Sequence, residues 1–338
     1  MNNDRYSRQT IFPGIGAGGQ ARLAQSRVAI FGLGALGSTI ADELCRAGVG
    51  HLRLVDRDYV ELGNLHRQTL YDELDARDGL PKAAAAAARL RRVNSDIELD
   101  AEIRDVNPGT VERLIENVDL VLDGTDNIET RLLINEACHK HGIPWIYGGA
   151  VGDSGMTMNI IPGETACFRC ICPVAPPPGS MPTCSSAGVL GMLTAVIGSI
   201  EAAEALKILV GSSAVRKTLL AFNIWDSSTE YIGLQPVPDC PVCSRGRYEA
   251  LEGAAGSSVT MLCGRDAFQI VPPSGTEVDF ARLAARLAVT GSVNYNQFML
   301  TYVSGELELR LFRDGRAILK NVRDESAAKS AYAQYVGL

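Results

Sequence analysis

Apolar residues in the first half of the chain alternate between two spacings. Short β-branched or apolar runs predict strands at Val28–Phe31, His51–Val55, Val118–Leu122 and Pro144–Tyr147. Between them, apolar residues at helical spacing predict helices at Leu36–Ala47, Lys82–Val93 and Ile128–Lys140. Because strands that alternate with helices pair in parallel, we expect an α/β fold with a doubly wound, mostly parallel sheet. Ligands of such sheets bind at the carboxyl ends of the strands.

The second half has a different pattern. Shorter runs predict strands at Met156–Ile161, Leu219–Ile224 and Thr229–Leu234, and a long apolar segment predicts a helix at Val189–Leu209. Beyond a Gly/Ala/Ser-rich stretch, strands are expected near 259–271, 297–303 and 306–320, with helices near 278–289 and 324–335. We therefore predict a first domain at 1–251, a linker at 252–258 and a small C-terminal α/β domain at 259–338.

Length and composition narrow the function classes. The chain has 338 residues and a formal net charge of −7, with 46% hydrophobic and 21% charged residues, which favours a folded protein of about two domains. The acidic balance argues against a nucleic-acid-binding surface. The apolar stretch Val189–Ile200 is too short to span a membrane, and the polar N-terminus has no signal-peptide core. We expect a cytoplasmic protein with no nucleic-acid or membrane partner.

A glycine-rich loop is predicted between the first strand and the first helix. Gly32, Gly34 and Gly37 fit the pattern G-x-G-x-x-G, which binds phosphate at this position in Rossmann-like folds. Asp56 follows the next strand, 19 residues after Gly37, where an acidic residue can bind a ribose hydroxyl. The pattern predicts a nucleotide site and leaves NAD, FAD and ATP open.

The segment after this acidic residue favours a nucleotide whose phosphates are contacted together with a metal ion. Asp58, Asn64 and Arg67 lie within it, and amide and guanidinium donors match phosphate oxygens. Lys82 begins a predicted helix and is a further candidate phosphate contact. Asp126 follows a predicted core strand and is a candidate ligand of Mg²⁺, which prefers oxygen ligands.

The nine cysteines are an odd number and cannot all form internal disulfides. Four of them form two C-x-x-C pairs, Cys167 with Cys170 and Cys240 with Cys243. Two such pairs can supply four thiolates to tetrahedral Zn²⁺, and a site with four protein ligands is structural. A redox role for a C-x-x-C pair is the alternative. Cys172 adds a third thiol beside the first pair and receives no assignment.

Cys184 is separate from both pairs. It follows a proline-rich loop and precedes a predicted helix, whose positive end is expected to favour a reactive thiolate. Cys45, Cys138 and Cys263 lie in predicted helices or a strand and are expected to be small core residues. No histidine is predicted to act as a base, which suits a reaction whose nucleophile is an already ionised carboxylate.

Together these motifs resemble the ThiF/MoeB/HesA family of bacterial adenylyltransferases, which are similar to ubiquitin-activating enzymes. The resemblance extends from about residue 4 to about residue 247. It is carried by RYSRQ (5–9), GLGALG (32–37), LVDRDYVELGNLHRQ (54–68), PK (81–82), DGTDN (123–127), the two C-x-x-C pairs and TCSSAGVLG (183–191). It implies the adenylation fold of the ubiquitin-activating enzymes.

The resemblance also implies an activity, namely ATP-dependent adenylation of the C-terminal glycine of a small ubiquitin-like sulfur carrier that ends in Gly-Gly. ATP, Mg²⁺ and structural Zn²⁺ are the implied cofactors. The glycine loop and Asp56 would hold the adenosine and ribose. The phosphates and metal would be surrounded by Asp58, Asn64, Arg67, Lys82 and Asp126. The implied catalytic residues are Arg8, Arg67, Lys82, Asp126 and the reactive loop residue Cys184. Arg8 would reach the partner's ATP site in a homodimer.

A carrier of the ThiS type, used in thiamine thiazole synthesis, is the leading hypothesis. A MoaD-type carrier of molybdopterin synthesis, or a carrier for another sulfur-containing metabolite, is the alternative, and a non-catalytic nucleotide-binding scaffold is an alternative of a different class. No rhodanese domain is recognisable, so a separate sulfurtransferase or cysteine desulfurase is the expected sulfur donor. Gly63 and Gly124 depart from the family's usual serine and cysteine, and neither departure removes a charged group.

Overall fold

A computed structural model of the protein describes residues 5–174, 186–253, 258–262, 267–272 and 277–337. The chain divides into two compact units, Met1–Gly253 and Ala254–Leu338. The linker predicted at 252–258 stays a prediction. In the described part of the chain, no helix is both long enough and apolar enough to cross a membrane.

Within the described ranges, the first unit contains nine α-helices, a short 3₁₀ turn at Leu62–Asn64 and eight strands. Its helices are α1 (Ser7–Ile11), α2 (Gly16–Leu23), α3 (Ala35–Ala47), α4 (Glu73–Arg77), α5 (Lys82–Val93), α6 (Val111–Leu114), α7 (Ile128–His141), α8 (Phe168–Ile171) and α9 (Gly191–Leu209). Its strands are β1 (Arg27–Phe31), β2 (His51–Val55), β3 (Glu98–Glu102), β4 (Leu120–Asp123), β5 (Trp145–Val151), β6 (Ser154–Ile160), β7 (Leu219–Asn223) and β8 (Thr229–Ile232).

The eight strands form one sheet in the order β3-β2-β1-β4-β5-β6-β7-β8. Strands β1 to β5 pair in parallel, and β6, β7 and β8 extend the sheet with antiparallel pairings. From β1 the chain adds β2 and β3 on one side and β4 and β5 on the other. This arrangement confirms the predicted doubly wound, mostly parallel sheet. Phe31 at the end of β1 pairs with Val55 on one side and Asp123 on the other, so three strands end side by side.

Side chains that alternate along the parallel strands face two hydrophobic clusters. On β1, Val28 and Ile30 belong to the cluster that includes residues of α3, α5 and α9. Ala29 and Phe31 belong to the cluster that includes residues of α6 and α7. Because successive residues of a strand point to opposite faces, the sheet is covered on both sides, as a parallel sheet requires.

Several predicted elements agree with the structure. The helix predicted at Lys82–Val93 is α5, and α3 ends at Gly48, whose φ of 80° is the left-handed conformation of a helix C-cap. Cys45 and Cys138 are fully buried, as predicted. Strand β3 was missed because its sequence, ELDAE, is mostly charged and partly exposed at the edge of the sheet.

In the residues that the structure describes, the second unit is a six-stranded antiparallel sheet with two helices. Its strands are β9 (Ser258–Leu262), β10 (Ala267–Val271), β11 (Ser292–Tyr295), β12 (Met299–Ser304), β13 (Leu307–Phe312) and β14 (Ala317–Lys320), and its helices are α10 (Phe280–Leu287) and α11 (Glu325–Tyr335). The strand order is β11-β12-β13-β14-β10-β9. The runs predicted at 259–271 and 306–320 each contain two strands, and β11 was missed. Phe280, Leu283 and Tyr332 of the helices pack in its core.

Candidate nucleotide-binding site and cysteine cluster

The glycine loop connects β1 to α3 where the parallel strands end. Gly32 has a φ of 82°, which favours glycine, and a Cβ there would lie 2.6 Å from the carbonyl oxygen of Gly124. A Cβ on Gly37 would lie 1.8 Å from the carbonyl oxygen of Gly32. At Gly34, the N-cap of α3, the nearest atom to a Cβ would be Gln68 Nε2 at 3.8 Å. Gly32 and Gly37 are therefore needed for close backbone packing, whereas Gly34 leaves space for a phosphate at the helix N-terminus.

Asp56 connects the glycine loop to the segment after β2. Its side chain is buried, Oδ2 accepts a hydrogen bond from the Leu33 backbone at 2.7 Å, and Oδ1 accepts one from the Asp58 backbone at 2.6 Å. Because a carboxylate has about four lone-pair positions, two acceptor positions remain for a ligand. The predicted ribose-binding residue therefore lies beside the loop, and the ribose contact itself stays a prediction.

Lys82 lies next to the glycine loop, at the first residue of α5. Its side chain is buried, and Nζ lies 3.5 Å from Asp58 Oδ2. The Tyr71 hydroxyl donates to the carbonyl oxygen of Leu33 at 2.9 Å and lies 3.4 Å from the carbonyl oxygen of Lys82. The structure thus brings Asp58 and Lys82 together and connects both to the loop.

Three polar side chains come from the turn Leu62–Asn64 and the residues after it. Asn64 and Gln68 are buried, and neither side-chain oxygen has a hydrogen-bond partner in the described part of the chain. Arg67 is half-buried, and its Nη1 donates to the Gly63 carbonyl at 3.1 Å. Buried amide oxygens without a partner fit a site whose ligand supplies the missing bond. Gln68 was not among the predicted site residues, although its place at the end of the NLHRQ motif was a usable signal.

Asp126 lies in the loop between β4 and α7, and its side chain is exposed. Burial opposes the charge of the nearby Arg57, but Asp105, Asp58 and Asp126 together raise the pKa of the Arg57 guanidinium. The carboxylates predicted to contact the phosphates and the metal therefore lie around the same arginine. In this acidic cluster, Asp58 and Asp126 supply carboxylate oxygens, the ligand type that hard cations prefer, and the contact of Asp126 with Mg²⁺ stays a prediction.

Two predicted catalytic residues are not brought to this cluster. Arg8 is exposed on α1, and within the described ranges no hydrogen bond or ion pair joins it to the residues above. Cys184 lies outside the described residues, as does Cys263. The roles of Arg8 and Cys184 stay predictions.

The two C-x-x-C pairs come together as one cluster. All four sulfur atoms of Cys167, Cys170, Cys240 and Cys243 lie within 4.8 Å of one another. The Sγ–Sγ separations of 3.6 Å for Cys167–Cys240 and 3.5 Å for Cys170–Cys243 match a tetrahedron with Zn–S distances of about 2.3 Å, whose edges are about 3.8 Å. The Val237 backbone also donates to Cys170 Sγ at 3.3 Å, which is typical of a metal-bound thiolate.

The protonation of these thiols also bears on metal binding. Burial raises the pKa of Cys167, and it raises the pKa of Cys243 to about 11. Burial alone would raise the pKa of Cys240 as well, but backbone N–H groups of Cys243 and Val242 lower it. Because thiolates bind metals, binding must release the protons of Cys167 and Cys243. The cluster is a candidate metal site that joins the segment around α8 to residues near the end of the first unit.

Comparisons with known proteins agree with this geometry. The model of the ThiF family matches residues 6–242. The chain is 37% identical over 336 residues to the sulfur carrier protein ThiS adenylyltransferase of Bacillus subtilis (strain 168), covering 98% of this chain and 99% of that protein. It is 38% identical over 287 residues to the adenylyltransferase and sulfurtransferase MOCS3 of Sus scrofa, covering 82% of this chain and 62% of that protein.

A solved structure supports the fold. E. coli MccB with ATP aligns with a TM-score of 0.62 and 23% identity, over 72% of this chain and 75% of that chain. At this identity the likeness shows the fold alone. The family model covers more than half of the chain, and the resemblance found in the motifs is confirmed: this chain belongs to the ThiF family.

Proposed function

We propose that this chain is an adenylyltransferase that uses ATP to activate the C-terminal glycine of a small ubiquitin-like sulfur carrier of the ThiS type. Activation prepares the carrier for thiocarboxylate formation in thiamine thiazole synthesis. The observation that carries the proposal is that Asp58 and Lys82 are joined to the glycine loop and that Gln68 Nε2 lies beside Gly34. The buried amide oxygens of Asn64 and Gln68, which have no partner in the described part of the chain, add to it. The similarity to a ThiS adenylyltransferase over nearly the whole chain supports the choice of carrier.

The reaction needs positioning and charge more than proton transfer. An oxygen of the carrier's terminal carboxylate attacks the α-phosphorus of ATP, the bond to the bridging oxygen breaks, and pyrophosphate leaves with the electron pair. Because that carboxylate is already ionised, no general base is required. Arg67 and Lys82 stabilise the negative charge that grows on the phosphate oxygens. Mg²⁺ held by Asp126 would neutralise part of the phosphate charge.

The active assembly is a homodimer in which Arg8 of each chain completes the ATP site of the other. Its exposure on α1 is compatible with this role. An Arg8→Ala chain mixed with an Asp126→Ala chain should recover about a quarter of wild-type activity, since half of the dimers are mixed and each mixed dimer has one intact site. No recovery would place Arg8 at the site of its own chain.

The four-cysteine cluster holds a structural Zn²⁺, because its four thiols leave no open coordination position. Cys184 acts after adenylation, in sulfur transfer, and the sulfur comes from a separate sulfurtransferase or cysteine desulfurase. The reduced thiols that both roles require fit a cytoplasmic protein.

A MoaD-type carrier of molybdopterin synthesis, or the carrier for another sulfur-containing metabolite, is the second candidate substrate. The similarity to MOCS3, named as both an adenylyltransferase and a sulfurtransferase, supports it. Both candidates share the chemistry of the terminal glycine and differ in the carrier surface that the enzyme recognises.

The test is pyrophosphate exchange into ATP with purified ThiS-like and MoaD-like carriers that end in Gly-Gly. We expect faster exchange with the ThiS-like carrier and none with a carrier that lacks its last glycine. Asp126→Ala should abolish exchange without lowering the melting temperature, because its side chain is exposed. The matched control is Glu116→Ala. It removes an exposed acid that precedes β4, at the other end of that strand from Asp126. Absence of exchange with every Gly-Gly carrier would refute adenylation.

A further inference from the structure

Arg131, a residue without an assigned role, is buried beneath the loop that carries Asp126. It lies on α7 with 8% of its surface exposed, and its Nε donates to Asp123 Oδ2 at 2.9 Å. Its Nη2 donates to the carbonyl oxygens of Thr125 at 2.6 Å and Gly148 at 2.8 Å. One guanidinium therefore joins the end of β4, the loop after it and β5.

The other bonds of Asp123 act on the same loop. Its Oδ1 accepts hydrogen bonds from the backbone N–H of Thr125 at 2.8 Å and from the Thr125 hydroxyl at 2.6 Å. Thr125 is thus held through its N–H, hydroxyl and carbonyl. On the far side of Asp126, the Asn127 side chain caps α7 by accepting from the Thr130 backbone at 2.8 Å. Both neighbours of Asp126 are therefore fixed, while the Asp126 carboxylate stays exposed.

The surroundings hold the guanidinium plane in place. The Arg131 carbon Cζ lies 5.1 Å from the centre of the Tyr147 ring, and that ring packs against Phe168 at a centroid distance of 5.1 Å. A Cβ on Gly149 would lie 2.9 Å from the Tyr147 hydroxyl, so the glycine leaves room for the ring that lies beside the guanidinium. Lysine cannot replace this arrangement, because an ammonium is a point charge and lacks the planar fork that reaches three oxygens in fixed directions.

We propose that Arg131 is a positioning residue that sets the shape of the loop 124–127 and thereby aims Asp126 at the metal–nucleotide complex. The inference rests on the proposed function for the role of Asp126. It predicts that Arg131→Lys keeps the buried positive charge but misplaces the Asp126 carboxylate. A misplacement of about 1 Å at such a site reduces the rate about a hundredfold.

Arg53 provides a matched control. Its side chain is also largely buried, its Nε donates to Asp100 Oδ2 at 2.9 Å, and its Nη1 donates to the Leu114 carbonyl at 2.9 Å. It lies in the middle of β2, away from the strand ends. Asp100 is partly exposed, so Arg53→Lys disrupts a half-buried guanidinium–carboxylate pair without touching the Asp126 loop.

The first measurement is Mn²⁺ binding in the presence of a non-hydrolysable ATP analogue, followed by electron paramagnetic resonance. We expect Arg131→Lys to weaken Mn²⁺ binding about tenfold, and Arg53→Lys to leave it at the wild-type value. The melting temperatures of the two variants show whether both substitutions destabilise the fold to a similar extent. Equal Mn²⁺ affinity in Arg131→Lys and wild type would overturn the proposal.

Arg131→Lys alone should lower pyrophosphate exchange about tenfold to a hundredfold. The second measurement is a double-mutant cycle in Mn²⁺ affinity with Asp126→Asn, whose amide oxygen can still contact the ion. If Arg131 acts through Asp126, Arg131→Lys weakens Mn²⁺ binding about tenfold in the wild-type background and causes no further loss in Asp126→Asn. Multiplicative losses would overturn the proposal. Should Arg131→Lys fail to fold, Tyr147→Leu removes the ring beside the guanidinium and must weaken Mn²⁺ binding in the same direction. A wild-type protein without exchange refutes the proposed function, while the Mn²⁺ result still decides the role of Arg131.

Discussion

The buried carboxyl group of Glu201 predicts an unusual dependence of stability on pH. Glu201 lies on α9 with 0% of its surface exposed, and neither side-chain oxygen has a hydrogen-bond partner within the described residues. Burial raises its pKa well above the ordinary 4.5, and Asp123 adds to the shift, while Arg131 and Arg216 oppose it. The carboxyl group therefore keeps its proton to a higher pH in the folded protein than in the unfolded chain.

The sign of the effect follows from proton binding. Above about pH 4.5 the unfolded chain releases the Glu201 proton and the folded chain keeps it, so rising pH favours unfolding. The contribution of Glu201 to stability is complete below that pH and is lost as the pH rises towards the folded pKa. Between the unfolded and the folded pKa the slope is about 1.4 kcal/mol per pH unit. Glu201→Gln has nearly the same shape but no titrating proton, so this slope disappears.

Glu204, three residues further along α9, is a control of opposite sign. Its burial alone would raise its pKa, but hydrogen bonds from Lys207, the Arg216 backbone and Asn159 lower it below 4.5. Its stabilisation is present above the unfolded pKa and is lost as pH falls through the folded pKa. Glu204→Gln should therefore destabilise the protein at neutral pH, and the difference should shrink in acid.

The measurement is urea unfolding at pH 5, 6, 7 and 8, followed by tryptophan fluorescence. Both tryptophans, Trp145 and Trp225, lie in the first unit, so the signal reports on the unit that contains Glu201. The free energy of unfolding of Glu201→Gln should rise relative to wild type as the pH increases between the unfolded and the folded pKa of Glu201. Parallel curves for the two proteins would mean that Glu201 is ionised in the folded state, and would refute the reasoning.

Three further predictions concern the cysteines and the glycine loop. Elemental analysis should find about one zinc per chain. Cys240→Ser should lose the zinc and have a lower melting temperature than wild type. A wild-type protein that is stable without metal would contradict the structural zinc site. Gly37→Ala should lower the melting temperature, because its Cβ would lie 1.8 Å from a carbonyl oxygen, whereas Gly34→Ala should fold normally and bind ATP more weakly by calorimetry. Cys184→Ser should retain pyrophosphate exchange and lose thiocarboxylate formation measured by mass spectrometry; loss of exchange would place Cys184 in the adenylation step.

Elements with a strong local signal were predictable from the sequence. The alanines of α5 have a high helix propensity, and Gly48 ends α3 as its C-cap. Both signals lie in the residues of the helix itself or directly after it. Strand β3 has no such signal, because its pairing with β2 supplies the stability that its charged sequence does not indicate. Gln68 and Glu201 were missed for a related reason, since their burial depends on segments that are distant along the chain.

The acids of the DGTDN motif show why a site cannot be assigned from residue type alone. Asp123 and Asp126 lie three residues apart, and only Asp126 was predicted as a metal ligand, from its position after the strand. The structure separates their roles by burial: Asp123 is fully buried and pairs with Arg131, whereas Asp126 is exposed and accessible to a cation. A buried acid bound to a guanidinium holds the shape of a loop, and an exposed acid on that loop can bind a metal. The motif therefore needs both acids, and the residue that distinguishes them, Arg131, lies beyond the motif on the next helix.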